Sequence, residues 1–306
     1  MQNDIADIEY QLSSLSIKGL TNKRVDKHNN VEKPLLCLHG WLDNAASFLP
    51  LMPYLDNVLA IDWPGHGLSS HRSSDAHYHF VDYVYDLLAL FDENSWPALD
   101  IVGHSMGGMI ASVFAATFPE KVKSLTLIDS IGFITAEAET TTENLRQGLL
   151  SRLKLSNKQK HQQLKAKQQE QAQKSRKIKS HANLDSAIKA RLSVSDLQYG
   201  DAKLLVERGT KQSEDGFYWC SDPRLMTKSP LRLSTSQAQQ IISSIDIPVQ
   251  LIYGDKGMDM VKLGIEQYKI HFKCFKSTML SGGHHVHMEQ PKATAALIAY
   301  FIDRIS

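Results

Sequence analysis

The chain has 306 residues and a mass of 34.3 kDa, a size that suits one α/β domain with an insertion or two small domains. Its 42% hydrophobic and 22% charged residues are typical of a globular protein with a sizeable core, and the net charge of +1 indicates no particular class of charged partner. No apolar run approaches the roughly 18 residues that are needed to cross a bilayer, so no membrane span is expected.

The first 134 residues alternate short apolar segments with helical patterns. Residues 5–25 alternate weakly between apolar and polar side chains and predict an edge hairpin or two antiparallel strands. Apolar residues recur at helical spacing over 79–92. Buried strands are predicted at Leu35–Leu38, Val58–Ile61, Leu99–Val102 and Val122–Ile128. Short buried strands that alternate with helices indicate an α/β fold, with a mostly parallel sheet and helices on both faces.

The composition changes after Ile134. From about 135 to 240, short apolar runs are few and helix-forming residues are many. The sheet pattern then resumes, with strands predicted at Val249–Tyr253 and Phe275–Leu280 and a helix from Ala293 to Ile305. We therefore expect residues 1–134 and 241–306 to form an α/β core and residues 135–240 to form a helical cap inserted between two of its strands.

The predicted cap carries a concentrated positive charge. Between Arg146 and Arg191 there are thirteen Lys and Arg residues against Glu170 and Asp185, a local charge of +11, which leaves the rest of the chain near −10. One interpretation is a solvated helical face, and another is capture of an anionic acyl substrate or contact with an anionic surface. The same segment contains no aromatic residue on which bases could stack, so no nucleic-acid partner is expected.

The stretch IVGHSMGG, residues 101–108, carries the strongest functional signal. Residues 103–107 match the G-x-S-x-G pattern, between a predicted strand and a helical pattern that runs from Met109 to Phe118. In that context the serine sits on a tight turn at the carboxyl end of the sheet, and the flanking glycines leave room for the turn. Ser105 is therefore the predicted nucleophile, the alternative being a merely glycine-rich turn between strand and helix.

A base for Ser105 is expected late in the chain. Residues 281–291, SGGHHVHMEQP, directly follow a predicted strand and contain three histidines. His284 comes immediately after the glycine pair, where the loop leaves the strand, and is the predicted base. His285 is the second candidate, and His287 is assigned a structural role. The alternative is three solvated loop histidines.

A second loop offers donors for an oxyanion. His39-Gly40-Trp41 follows the predicted strand Leu35–Leu38, and we expect the backbone N–H of Trp41 to join that of Met106 in binding the charge that develops on a carbonyl oxygen. His39 is more typical of a histidine that anchors its loop than of an acid or base. Gly65-His66-Gly67 is typical of a structural turn.

These residues resemble the α/β-hydrolase superfamily over about 31–134 and 246–306. The stretches HGWLDNAASF (39–48), DWPGHGLSSH (62–71) and GHSMGG (103–108) resemble the serine hydrolase-like subfamily of capped esterases more closely, and LLVERGTK (204–211) and SDPRL (221–225) extend the similarity into the cap. The resemblance implies a Ser-His-acid hydrolase with no metal or organic cofactor. Epoxide hydrolases and haloalkane dehalogenases share the fold but use an aspartate nucleophile, and Ser105 argues against both.

The triad acid departs from the usual pattern of the superfamily. Members commonly have Asp three residues after the glycine of the strand that here ends Ile252-Tyr253-Gly254, and this position is Gly257. Asp255 and Asp259 flank it, but each would need a rerouted loop. The superfamily offers a second place, at the end of the preceding strand, which Asp129 occupies. Asp129 is the predicted acid, although Asp is also common as a turn residue at strand ends, and Asp255 and Asp259 stay open.

Two functions are compared. The leading hypothesis is a cytoplasmic serine hydrolase that cleaves an ester or related small-molecule acyl compound through an acyl-enzyme on Ser105. The alternative is a hydrolase-fold binding protein that has lost turnover, which Gly257 favours. The cytoplasmic expectation depends on three scattered cysteines and on first residues that lack the apolar stretch of a signal peptide.

Overall fold

The computed structural model describes residues 5–23, 31–170 and 181–305, and over 162–170 it describes the backbone alone. Much of the basic stretch of the predicted cap therefore lies outside the described side chains. Within these ranges, no helix combines the length and the apolar character that crossing a bilayer requires.

The strands and helices follow each other in an alternating order for most of the chain. In chain order the strands are β1 (Ala6–Gln11), β2 (Ser16–Thr21), β3 (Leu35–Leu38), β4 (Val58–Ile61), β5 (Leu99–His104), β6 (Val122–Ile128), β7 (Thr210–Ser213), β8 (Gly216–Trp219), β9 (Val249–Gly254) and β10 (Phe275–Leu280). The α-helices are α1 (Phe80–Glu93), α2 (Met106–Thr117), α3 (Thr141–Glu170), α4 (Leu184–Leu192), α5 (Tyr199–Gly209), α6 (Thr235–Ser243), α7 (Asp259–Tyr268), α8 (Val286–Glu289) and α9 (Pro291–Asp303).

Eight of the strands form one twisted layer at the centre of the molecule. Their order is β1-β2-β4-β3-β5-β6-β9-β10. The pairs from β4 to β10 are parallel, whereas β1 pairs antiparallel with β2, and β2 antiparallel with β4. The predicted mostly parallel sheet is therefore confirmed, as is the antiparallel pair at its start.

Helices cover both faces of the sheet, as predicted. Along β3, Leu36 and Leu38 pack into one apolar cluster while Leu35 and Cys37 pack into another. This alternation is the two-residue period of a strand that is buried on both faces. The first cluster includes side chains of α1, α2, α6 and α7, and the second includes side chains of α9 and of residues 45–55. Helix α7 was not predicted from the sequence.

The segment between β6 and β9 covers residues 135–240, for which a helical cap inserted in the sheet is predicted. It holds α3, α4, α5 and α6, together with a two-stranded hairpin of β7 and β8 that the composition did not predict. The hairpin signal was Asp215-Gly216, because Gly216, the first residue of β8 after the two-residue turn Glu214-Asp215, takes a φ of +116°. Ala238 and Ile242 of α6 pack into the first core cluster, so the last part of the segment lies against the sheet.

Part of the insertion is fixed over the loops that follow β3 and β4. Arg208 of α5 places its Nε 3.1 Å and 3.0 Å from the two carboxylate oxygens of Asp62, whose side chain is fully buried. Asn44 donates to the carbonyl oxygen of Leu205 at 2.8 Å. Because those loops lie at the carboxyl end of parallel strands, α5 lies at the edge of the sheet where β5 leads into the turn of residues 103–107, here called the elbow.

Candidate active site

Ser105 occupies a tight turn between β5 and α2. Its backbone has a φ of +50°, a region that a residue with a Cβ rarely adopts. A Cβ on Gly103 would lie 2.6 Å from the Cα of Gly108, and one on Gly107 would lie 2.2 Å from the carbonyl oxygen of Leu38. Glycine is therefore required at both positions for the turn to pack against its neighbours. The turn leaves the Ser105 side chain half-buried at the amino terminus of α2.

His284 and Asp129 are hydrogen-bonded side chain to side chain. Nδ1 of His284 lies 2.7 Å from Oδ2 of Asp129, whose side chain is fully buried. The Asp129 carboxylate also accepts from the backbone N–H groups of Gly254 at 3.3 Å and Met258 at 3.2 Å. Because an ionised carboxylate only accepts hydrogen bonds, Nδ1 carries the proton in this pair. The lone pair of Nε2 is then available to accept a proton.

The other candidate acids lie elsewhere. Asp255 accepts through Oδ1 from the backbone N–H of Gly282 at 2.8 Å, and Asp259 is the first residue of α7. Glu289 accepts from the N–H of Gly283 at 2.9 Å. Asp255 and Glu289 thus hold the backbone of the loop that carries His284, and of the three candidate acids Asp129 is the one hydrogen-bonded to the imidazole.

The loop after β3 approaches Ser105 closely. A Cβ on Gly40 would lie 3.0 Å from the Cβ of Ser105. Met106 is the first residue of α2, and in the described residues neither its N–H nor that of Trp41 donates to a protein acceptor. Free N–H groups at a helix amino terminus suit an anion. The Trp41 side chain is 49% exposed, and its Nε1–H donates to the carbonyl oxygen of Leu225 in the insertion at 3.3 Å.

His39 and His66 are both buried in the structure. Nδ1 of His39 lies 2.7 Å from the carbonyl oxygen of Gly40, and its Nε2 accepts from the N–H of Trp63 at 3.0 Å. Burial lowers the pKa of His39 to about 4 and that of His66 to about 3. His39 is therefore a neutral ring that ties two loops together. His287 is also buried, and burial holds its pKa well below the usual range.

A buried ionic cluster beside the elbow was not predicted. Nε2 of His285 lies 3.1 Å from Oδ2 of Asp43, and the other Asp43 oxygen pairs with Arg191 at 2.5 Å. Burial alone would lower the pKa of His285, but the Asp43 charge and a hydrogen bond to Asp196 outweigh it and raise the pKa to about 9. His285 is therefore a cation at neutral pH. In the sequence, the one indication of this cluster was an acidic residue, Asp43, in the stretch HGWLDN.

Within the part of the chain that the structure describes, three residues of this region have potential metal-ligand atoms close together. One atom each of Asp43, His104 and His285 lies within 4.8 Å of the others. Nε2 of His104 faces the carbonyl oxygen of His284 at 2.9 Å, which places a proton on it, and burial lowers the pKa of His104 to about 4. Since Asp43 is already paired with Arg191 and with protonated His285, the arrangement is an ion-pair network around the Asp43 carboxylate.

Comparison with known proteins gives a family match for most of the chain. Residues 33–291 match the family model for the alpha/beta hydrolase fold. A serine hydrolase-like protein of Danio rerio is 32% identical over 88% of this chain and 81% of its own length. A pimeloyl-[acyl-carrier protein] methyl ester esterase of Neisseria meningitidis is 27% identical over 89% of this chain and 94% of its own. A crystal structure of a hypothetical protein from Pseudomonas aeruginosa PAO1 is 31% identical, covers 96% of both chains and superposes with a TM-score of 0.81.

Proposed function

Since this chain belongs to the α/β-hydrolase superfamily, among the serine hydrolase-like proteins, and is a hydrolase, we propose that it cleaves an ester or related acyl compound through an acyl-enzyme on Ser105. The observation that carries the proposal is the 2.7 Å hydrogen bond between His284 and the buried Asp129 carboxylate. The elbow geometry of Ser105 supports it. The Neisseria relative, named an ester esterase, supports an ester as the substrate class.

In the proposed reaction each residue has one task. Nε2 of His284 takes the proton of the Ser105 hydroxyl while Oγ attacks the acyl carbon, and the proton then passes to the leaving group. Asp129 holds the Nδ1–H tautomer and stabilises the imidazolium that forms. The N–H groups of Trp41 and Met106 bind the oxyanion. A water molecule, deprotonated by Nε2 of His284, then attacks the acyl carbon. The bond to Oγ of Ser105 breaks, the proton passes from His284 to Oγ, and the acid is released.

We further propose that residues 135–240 act as a cap over a core made of residues 1–134 and 241–306. The Arg208–Asp62 ion pair, the Asn44–Leu205 hydrogen bond and the contact of Trp41 with Leu225 support this arrangement. The cap's basic charge supports small acyl substrates that include anionic ones. The three cysteines of the whole chain, Cys37, Cys220 and Cys274, are free, which supports a reducing, cytoplasmic compartment.

The alternative of a binding protein without turnover depends on Gly257, where superfamily members commonly carry the acid. Asp129 makes the hydrogen bond to His284 that such an acid would make, so Gly257 does not deprive His284 of a carboxylate partner. Labelling by a fluorophosphonate probe, which needs an activated serine, discriminates the two. We expect the native chain to be labelled and Ser105→Ala not to be; an unlabelled native chain that still binds esters would favour the binding protein.

A panel of p-nitrophenyl esters of increasing chain length tests the substrate class. We expect turnover that depends on Ser105 for at least part of the panel. A labelled enzyme that hydrolyses none of these esters would direct the search to amides, lactones or carbon–carbon bonds.

A further inference from the structure

The backbone N–H of His284 donates to a carboxylate of the insertion. Oδ2 of Asp196, in the turn between α4 and α5, accepts it at 2.7 Å. The two preceding N–H groups of the loop donate to Asp255 and Glu289, which belong to the core. The loop that carries the proposed base is thus held by three carboxylates, and the one at the base itself comes from the cap.

Asp196 also joins the ionic cluster. Its Oδ1 lies 3.4 Å from Nδ1 of His285, whose Nε2 lies 3.1 Å from Asp43. Asp43 in turn pairs with Arg191 of α4. The charges therefore alternate from Arg191 through Asp43 and His285 to Asp196, and both ends of this chain lie in the insertion. Charge-assisted hydrogen bonds of this kind are stronger than neutral ones.

The Asp196 carboxylate packs directly against the loop backbone. A Cβ on Gly283 would lie 2.1 Å from Oδ2 of Asp196. This distance leaves no room for a side chain between the carboxylate and the loop. Glycine at position 283 therefore permits the hydrogen bond to His284.

We propose that Asp196 is a positioning residue for His284, supplied by the cap; the proposal rests on the proposed function, in which His284 is the base. The imidazole is held through Nδ1 by Asp129, and its backbone is held through N–H by Asp196. Two fixed points define where Nε2 lies relative to Ser105. Loss of the second point lets the loop shift, and a misplacement of about 1 Å can cost about 10²-fold in rate.

The test compares Asp196→Asn with Asp185→Asn. Asp185 is a carboxylate of the same segment that pairs with Lys189 and Tyr199 and does not contact the loop. Steady-state hydrolysis of p-nitrophenyl acetate, normalised to Ser105 sites titrated with a fluorophosphonate, gives kcat and KM. We expect Asp196→Asn to lose about 10- to 100-fold in kcat, because the amide is uncharged and keeps a single accepting oxygen. KM should stay within about twofold. The control should match the native chain.

A spectroscopic readout separates positioning from general stability. The proton shared by His284 and Asp129 gives a downfield NMR resonance, which we expect to broaden or shift in Asp196→Asn and to stay in Asp185→Asn. Gly283→Ala displaces the carboxylate but keeps its charge, and should reproduce both effects; it also carries the test should Asp196→Asn fail to fold. His285→Gln breaks the ionic chain but spares the direct bond, so it should lose less kcat than Asp196→Asn.

Unchanged kcat and an unchanged resonance in Asp196→Asn or Gly283→Ala would overturn the proposal. A loss in His285→Gln as large as in Asp196→Asn would assign the effect to the ionic chain and also overturn it. The proposed function fails separately: a native chain that neither hydrolyses esters nor reacts with the probe, but whose His284 resonance responds to Asp196→Asn, would reject the reaction and keep the positioning role.

Discussion

Gly257 leaves the space that the Asp129 carboxylate fills. A Cβ on Gly257 would lie 2.3 Å from Oδ1 of Asp129 and 2.8 Å from its Cγ. The two residues follow β9 and β6, which are neighbours in the sheet, so an acid from either strand end reaches the same point. The missing side chain at position 257 is therefore a steric requirement of Asp129, and it supports an acid relocated by one strand.

The first prediction concerns this acid. Asp129→Asn keeps the shape of the side chain but removes the charge that stabilises the imidazolium, and in the serine protease triad the same change costs about 10⁴ in turnover. We expect a loss of several orders of magnitude in kcat with little change in KM or in melting temperature. Asp255→Asn and Asp259→Asn serve as controls and should lose less than about tenfold. A larger loss in either control than in Asp129→Asn would assign the role of the triad acid to that control's aspartate.

The second prediction uses the shared space. Gly257→Asp alone should lose activity, because the new Cβ collides with Asp129. Asp129→Ala empties the space. The double variant Asp129→Ala with Gly257→Asp should have a kcat at least about tenfold above that of Asp129→Ala alone, because it restores a carboxylate at His284. The control is Asp129→Ala with Gly257→Asn, which supplies a similar shape without charge. Equal rates for the two double variants would show that the site does not accept an acid from β9.

The elements that could be predicted from the sequence are those that depend on a few consecutive residues. The buried strands and the elbow could be predicted because each carries its requirement in consecutive residues, such as the glycines at 103 and 107. The hairpin of β7 and β8 was missed although Asp215-Gly216 signalled it, because the surrounding composition favoured helices.

The ionic cluster could not be predicted in the same way. It joins Asp43, Arg191, Asp196 and His285, which are distant in the chain and meet only when the insertion packs on the core. A single sequence shows charges but not their partners. The sequence could therefore offer His285 only as a second candidate for the base. Its role as a cation depends on Asp43 and Asp196, which are distant from it in the chain.

The third prediction concerns the nucleophile. Ser105→Ala should lower kcat by about 10⁶, and His284→Ala with Ser105→Ala should lose little more than either single variant, because triad residues act as a unit. The melting temperature should stay nearly constant, since the half-buried hydroxyl of Ser105 makes no hydrogen bond to another described residue. Steady-state rates on a p-nitrophenyl ester and thermal melts check both. Additive losses would mean that one residue acts outside the triad.

The fourth prediction concerns the basic cap. If the local charge of +11 between residues 146 and 191 attracts substrate, raising salt from about 50 to about 500 mM should lower kcat/KM several-fold for an ester with a terminal carboxylate, through screening. A neutral ester of equal length is the control and should respond little. An equal response of the two esters would remove the attraction of anionic substrates.

The last prediction concerns His285 and the dependence of stability on pH. The charged groups that act on this ring are Asp43, Asp196, Asp201 of α5 and, at the far side of Asp43, Arg191, while burial keeps His104 and His287 neutral. The pKa of His285 is raised from 6.5 to about 9 in the folded protein. Below about pH 6.5 the residue binds its proton in both states, so the stabilisation is fully present. Between about pH 6.5 and 9 the folded state alone keeps the proton, so stability falls as pH rises.

The raised pKa of His285 determines how much the free energy of unfolding should change with pH, and a variant without the imidazole is the control. In urea titrations, the difference in free energy of unfolding between the native chain and His285→Gln should fall by at most about 3 kcal/mol between pH 6 and 9.5. His285→Gln should be less stable at pH 6 and should lack this fall, since it has no proton to lose. Burial lowers the pKa values of His39 and His66 to about 4 and 3, so the unfolded chain alone binds their protons near pH 6, but both proteins share this contribution and it cancels in the difference. Parallel profiles for the native chain and His285→Gln would show that His285 is not held as a cation between Asp43 and Asp196.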